Sequence, residues 1–118
     1  MIGEAATIEA MATDWNAIPV EKLEDGIERQ MVFGKNLMIC RLRFAPFTVT
    51  PAHRHVHEQM TLVVKGKAKF VFGEEERIVS TGDFLFFPSN FWHGATMLEE
   101  EVILIDIFSP IREDFLNA

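Results

Sequence analysis

From about Gln30 onward, apolar and polar positions change over in short runs separated by turn-forming residues, the pattern of an all-β sandwich or barrel. Gln30–Phe33 leads into a Gly34-Lys35-Asn36 turn. Leu37–Phe44 then alternates, with Met38, Cys40, Leu42 and Phe44 on one face and Arg41 and Arg43 on the other. Pro46 and Pro51 bracket Phe47–Thr50. Gln59–Val64 and Lys67–Phe72 are β-branched and aromatic runs that meet at Lys65-Gly66, a hairpin signal. Further runs are expected at Arg77–Val79, Phe84–Phe87, Phe91–Met97 and Val102–Phe108, each preceded by a turn rich in Gly, Asp, Asn or Glu. Strands this short leave sheet edges to hide, and closure into a small antiparallel barrel or jelly roll hides them. Residues 1–29 stand apart as a leader that packs on the barrel or on a partner subunit, its first part read as a short helix or an arm; residues 30–118 make the β domain.

The length of 118 residues suits one domain, and 48% apolar residues suffice for a core. Eleven basic against eighteen acidic side chains give a net charge of −7. That balance speaks against nucleic acid, whose phosphates call for a basic stripe, and against an anionic membrane surface. The N-terminal stretch carries Glu4 and Glu9 without Lys or Arg and does not read as a secretory signal. Cys40 is the single cysteine, so no intrachain disulfide is expected, in keeping with a reducing cytoplasm. Tyr is absent and Phe occurs eleven times, so no phenol is available for acid–base work. Phe84, Phe86, Phe87 and Phe91 are expected in the core and at a homodimer contact.

Chemistry concentrates in Pro51–Gln59, which reads PAHRHVHEQ. Three histidines and a glutamine in seven positions have the composition of a metal-ligand set. His53 and Gln59 on one straight strand would lie about 20 Å apart, too far to share an ion. His53 and His55, two apart, share a strand face. If the chain reverses near Val56–Glu58, Gln59 returns on the neighbouring strand to the same spot, with His57 in the turn and Glu58 pointing away. His93, beyond the Pro88-Ser89-Asn90 turn, is the remaining histidine and the expected fourth ligand.

These spacings resemble a known family. His53-x-His55-x3-Gln59-x6-Gly66 is similar to the first cupin motif, with Gln where Glu is usual. Gly82-x5-Pro88-x-Asn90-x2-His93-x3-Met97 is similar to the second, with Asn for its usual Gly and Met for its usual Asn. The resemblance implies a cupin double-stranded β-helix holding one divalent transition metal (Ni, Zn, Fe, Mn or Co) through His53, His55, Gln59 and His93. The tail DIFSPIREDF, residues 106–115, resembles the pectin-degradation cupins that linearise unsaturated monouronates. In that family the Asp, Phe and Arg of the tail line the metal pocket, which implies pocket roles for Asp106, Phe108 and Arg112.

The residues carry a physical reading of their own. Three imidazoles and a neutral amide leave the ion's full charge undiminished, a better Lewis acid and anion receptor than a carboxylate-ligated ion and a weaker support for oxidised iron. Asp106 interrupts an apolar strand and must be paired, hydrogen-bonded or protonated. It is either a structural carboxylate held by a backbone amide, Arg41 or Arg43, or a general acid/base near the metal. Arg112 is either a surface charge or the fork for a substrate carboxylate; Phe108 is core or a ring wall for a sugar. The expected function is ring opening of a small anionic sugar, a 4,5-unsaturated monouronate, to the 5-keto-4-deoxyuronate. The alternatives are a metal-dependent oxygenase and a non-catalytic metal- or sugar-binding cupin. No nucleic-acid or membrane partner is expected, and a homodimer is.

Overall fold

The alternation translates into ten strands in a computed structural model, which describes residues 9–116. Numbered in chain order, β1 (Glu21–Glu24), β2 (Ile27–Phe33), β3 (Met38–Phe44), β10 (Val102–Ser109), β5 (Glu58–Lys65) and β8 (Phe84–Phe87) lie side by side in one sheet. The second sheet runs β4 (Val49–His53), β9 (His93–Met97), β6 (Lys67–Phe72) and β7 (Glu75–Ser80). Every pairing is antiparallel. The remaining regular structure among the described residues is two single-turn 3-10 helices, Trp15–Ala17 and Glu113–Phe115. No helix among these residues is long and apolar enough to cross a membrane.

Pairing begins at Glu21, earlier than the hydrophobic pattern suggests. All four residues of β1 are exposed, so this strand follows its neighbour's edge and carries no alternation of its own. Strand β2 likewise starts at Ile27 and not at Gln30. Residues 1–8 of the leader lie outside the described residues; its Trp15–Ile18 part is tied to the sheet by Gln30, whose side-chain amide donates to the carbonyls of Trp15 and Ile18 at 2.7 and 2.8 Å, while Arg41 donates to its oxygen at 3.1 Å.

Inward positions of the two sheets make one core around Phe44, Val63, Phe70, Phe87, Met97 and Leu104. Each such buried side chain stabilises the fold by roughly 1.5–3 kcal/mol. A smaller cluster, Met31, Met38, Cys40 and Phe108, continues toward Phe115 and Leu116. Burial raises the Cys40 thiol to about 12, with the Asp106 carboxylate adding to the effect. Strand β5 shows the division of faces well: Gln59, Thr61 and Val63 point in, Met60, Leu62 and Val64 point out. Of the four phenylalanines expected in the core and at a homodimer contact, Phe87 lies in the core. Phe84 is 70% and Phe86 50% exposed, and Phe91 is exposed too. Phe84 pairs with Leu62 and Phe86 with Met60, so these side chains form an apolar outer face at the β8 edge.

Two local features bring the end of β4 against β9. Between Thr50 and His53 the register against β9 shifts by a residue, so that His53 lies opposite His93. Gly94 permits this approach: a Cβ there would sit 2.8 Å from the Ala52 nitrogen.

Candidate metal centre

His53, His55 and His93, respectively exposed, half-buried and buried, converge with one ligating nitrogen of each within 4.8 Å of the others. His53 ends β4 and His93 opens β9. His55 does not share a strand face with His53, because β4 stops at His53. It lies in the following loop, held by the Asn90 backbone N–H, which donates to the His55 carbonyl at 2.7 Å. Asn90 adopts φ 61°, a left-handed conformation that Asn tolerates and that the cupin motif usually fills with Gly. The chain then reverses, and Gln59 on β5 comes back beside His55. Glu58 is exposed and Gln59 buried, as the strand's alternation requires. His57 is not in the converging group.

All three rings are oriented in the same way. Nδ1 of His53 lies 3.0 Å from the Pro51 carbonyl, that of His55 3.0 Å from the His57 carbonyl, and that of His93 2.8 Å from the Phe91 carbonyl. A carbonyl only accepts, so each Nδ1 carries the proton and each Nε2 keeps its lone pair free. Burial lowers the pKa of His55 and brings that of His93 down to about 4, so both are neutral at physiological pH. His93 is further fixed by Phe87, whose ring stacks on it at 4.3 Å and 3°.

Two observations show that this set suits a cation. The Nε2 of His93 is buried and has no hydrogen-bond partner. In addition, Nε2 of His55 faces Oε1 of Gln59 at 2.9 Å, although both are acceptors. The Gln59 orientation is fixed from behind: its Nε2 donates to Thr61 Oγ1 at 2.9 Å, and Thr61 Oγ1 donates to Asp106 Oδ1 at 2.6 Å. Two lone pairs at that separation call for a positive charge between them. Ligand atoms each about 2.1 Å from one ion and at right angles lie about 3.0 Å apart. His53, His55, Gln59 and His93 can therefore hold a divalent ion, and imidazole and amide donors suit the later transition metals.

The tail residues meet the same space. A cavity of about 240 Å³ is lined by His53, Gln59, His93, Asp106, Phe108 and Arg112, among others. Asp106 is held by Thr61 and not by Arg41 or Arg43, which turn to Gln30 and to Glu28 and Glu101. Burial raises its pKa to about 6, against the opposing pull of the Thr61 hydrogen bond and the Arg112 charge. Phe108 packs edge-on against the His55 ring at 5.8 Å. Arg112 is buried at 9% exposure, so it is no surface charge. Its guanidinium lies 5.0 Å from the Phe108 ring centre and 4.1 Å from that of Phe115, and its fork already grips Asp114 through bonds of 3.0 and 2.8 Å.

Thr61, Phe87 and Asp114 are parts of this site that the sequence reading passed over. Thr61 left a signal, a hydroxyl two positions past Gln59 on the inward face of β5. Phe87 and Asp114 left none, being one of many phenylalanines and one of several tail acids.

The barrel topology and the histidine cluster define the class: residues 40–108 match the cupin domain family, and the chain belongs to it. It is 40% identical over 100 residues to the pectin degradation protein KdgF of Dickeya dadantii, across 83% of this chain and 91% of that one. Among solved structures it is similar to KdgF from Halomonas sp., with TM-score 0.85 and 31% identity over 91% of this chain and 99% of the other. A second similar structure is an RmlC-like cupin from Shewanella frigidimarina, with TM-score 0.84 and 31% identity over 91% and 96% of the two chains.

Proposed function

We propose that this protein acts in pectin breakdown by opening the ring of 4,5-unsaturated monouronates, with His53, His55, Gln59 and His93 as metal ligands and Asp106 as the group that moves the proton. The observation that carries the proposal is Asp106 itself: a carboxyl in the metal cavity, joined to the metal-facing amide through Thr61. The similarity to KdgF supports the substrate class.

The sugar is a hemiacetal at C1 and an enol ether at C5. Asp106, ionised near neutrality with its pKa at about 6, removes the C1 hydroxyl proton as the bond from C1 to the ring oxygen breaks. The ring oxygen stays on C5 as an enolate, and the proton is returned to C4 to give the 5-ketone. The reaction is an isomerisation and needs no co-reactant. A divalent ion in the site supplies electrophilic stabilisation for the negative charge that develops on the substrate oxygen. The neutral amide of Gln59 leaves that charge undiluted, in keeping with chemistry other than oxidation. Arg112 receives the C6 carboxylate in exchange for Asp114, and Phe108 walls the sugar.

The test is the near-ultraviolet absorbance of an unsaturated galacturonate mixed with metal-loaded protein. Loss of absorbance faster than the spontaneous rate is expected, and Asp106→Asn, which still accepts from Thr61, abolishes the acceleration while keeping the metal. A rate equal to the spontaneous one overturns the proposal.

We also infer that the chain forms a homodimer, supported by the apolar outer face of Met60, Leu62, Phe84 and Phe86. Light scattering on the wild type is expected to give twice the chain mass. A monomer there refutes the inference.

A further inference from the structure

We propose that Thr61 is a positioning residue that decides which end of the Gln59 amide faces the three imidazoles. Thr61 is wholly buried in the middle of β5, at 0% exposure, where a valine would pack as well. A hydroxyl in such a place is costly unless it is used, and this one is used twice. Its single proton goes to Asp106 Oδ1 at 2.6 Å, which leaves Oγ1 only an acceptor toward Gln59. The end of Gln59 that meets it, at 2.9 Å, is therefore the NH2 group, and Oε1 is turned toward His55 Nε2. The selection has a chemical consequence. With the amide reversed, an N–H would point at the His55 lone pair, and the resulting hydrogen bond would close the site that the outward oxygen keeps open. A carboxylate at this position has two equal ends and needs no such control; an amide does. The inference rests on the proposed metal site, with Gln59 as a ligand.

Removing the hydroxyl releases the amide. Thr61→Val takes away the acceptor for the Gln59 NH2 group, and the amide then gains by turning to His55. Metal affinity is measured by titrating Ni²⁺ or Zn²⁺ against a chromogenic chelator, with circular dichroism and a melting curve reporting the fold. Thr61→Val is expected to bind about 10–100-fold more weakly, the usual cost of losing a group that orients a ligand. Thr61→Ser retains the wild-type affinity. The decisive comparison is made in a Gln59→Glu background, where adding Thr61→Val is expected to leave affinity unchanged, because a carboxylate has no wrong end; a general packing defect would weaken both backgrounds alike. Should the valine variant fail to fold, Thr61→Ala carries the same expectation.

A folded Thr61→Val protein that binds metal within twofold of wild type overturns the proposal, as does an equal loss in both backgrounds. Gln59→Ala separates the two levels. If it binds as tightly as wild type, Gln59 is no ligand and the metal-site reading itself has failed. If it binds weakly while Thr61→Val does not, only the role of Thr61 has failed.

Discussion

Asp106→Asn is expected to stabilise the metal-free protein, and to do so only where the carboxyl would be ionised. In the unfolded chain the group titrates near its ordinary value of 3.8, and in the folded barrel near about 6. The folded state thus holds the proton more tightly. At pH 3 both states are protonated, and the group costs nothing. As pH rises past 3.8 the unfolded chain releases its proton first, and stability falls by about 1.4 kcal/mol per pH unit until the folded group titrates as well. Above pH 7 the loss levels off at about 3 kcal/mol, the difference between the two values at 1.36 kcal/mol per unit. Asparagine keeps the shape and can still accept from Thr61, while removing the charge. Urea denaturation of chelator-treated wild type and Asp106→Asn, at half-unit steps from pH 3.5 to 8, reads this directly. The two curves should coincide at the acid end and separate through pH 4–6, with the variant the more stable by up to about 3 kcal/mol at pH 7.5. A separation that does not vary with pH would refute the reasoning, because Asp106 would then titrate alike in both states.

Other expectations follow from the same geometry. Adding Ni²⁺ or Zn²⁺ at a hundredfold excess over its dissociation constant should stabilise the wild type by about 2.7 kcal/mol, seen as a higher melting temperature. His93→Ala, which deletes the imidazole with the unpartnered buried Nε2, should lose that shift; an undiminished shift would place the metal elsewhere. Cys40, buried and raised to about 12, should resist a disulfide reagent at pH 8 in the native protein and react at once in denaturant. Rapid native labelling would show that the Met31–Met38–Phe108 cluster opens readily.

The strands were legible wherever one face was buried and the other solvated, as along Met38–Phe44 and Gln59–Val64, since burial on one side is what writes a period of two into a sequence. Strand β1 was illegible for the same reason: all its residues face solvent, and only its neighbour makes it a strand. The convergence of His53, His55 and His93 could be expected from composition and motif spacing. The route could not, because the bulge in β4 and the Asn90 contact to His55 depend on the other strand being in place. Asp106 announced itself as a carboxylate in an apolar strand, yet its partner Thr61 lies 45 positions away and is visible only once β5 and β10 pair. Arg112 could be singled out, whereas its pairing with Asp114 depends on the 3-10 turn at Glu113–Phe115.

The backbone acceptors behind the imidazoles set the rings before any ion arrives. Pro51, His57 and Phe91 each stand two residues from the ring they hold, so the aim of every nitrogen is settled by a few neighbouring peptide units. The receptacle is finished when the chain has folded, and an arriving cation has little left to organise. A set of imidazoles aimed in this way would accept one divalent ion or another without rebuilding its walls.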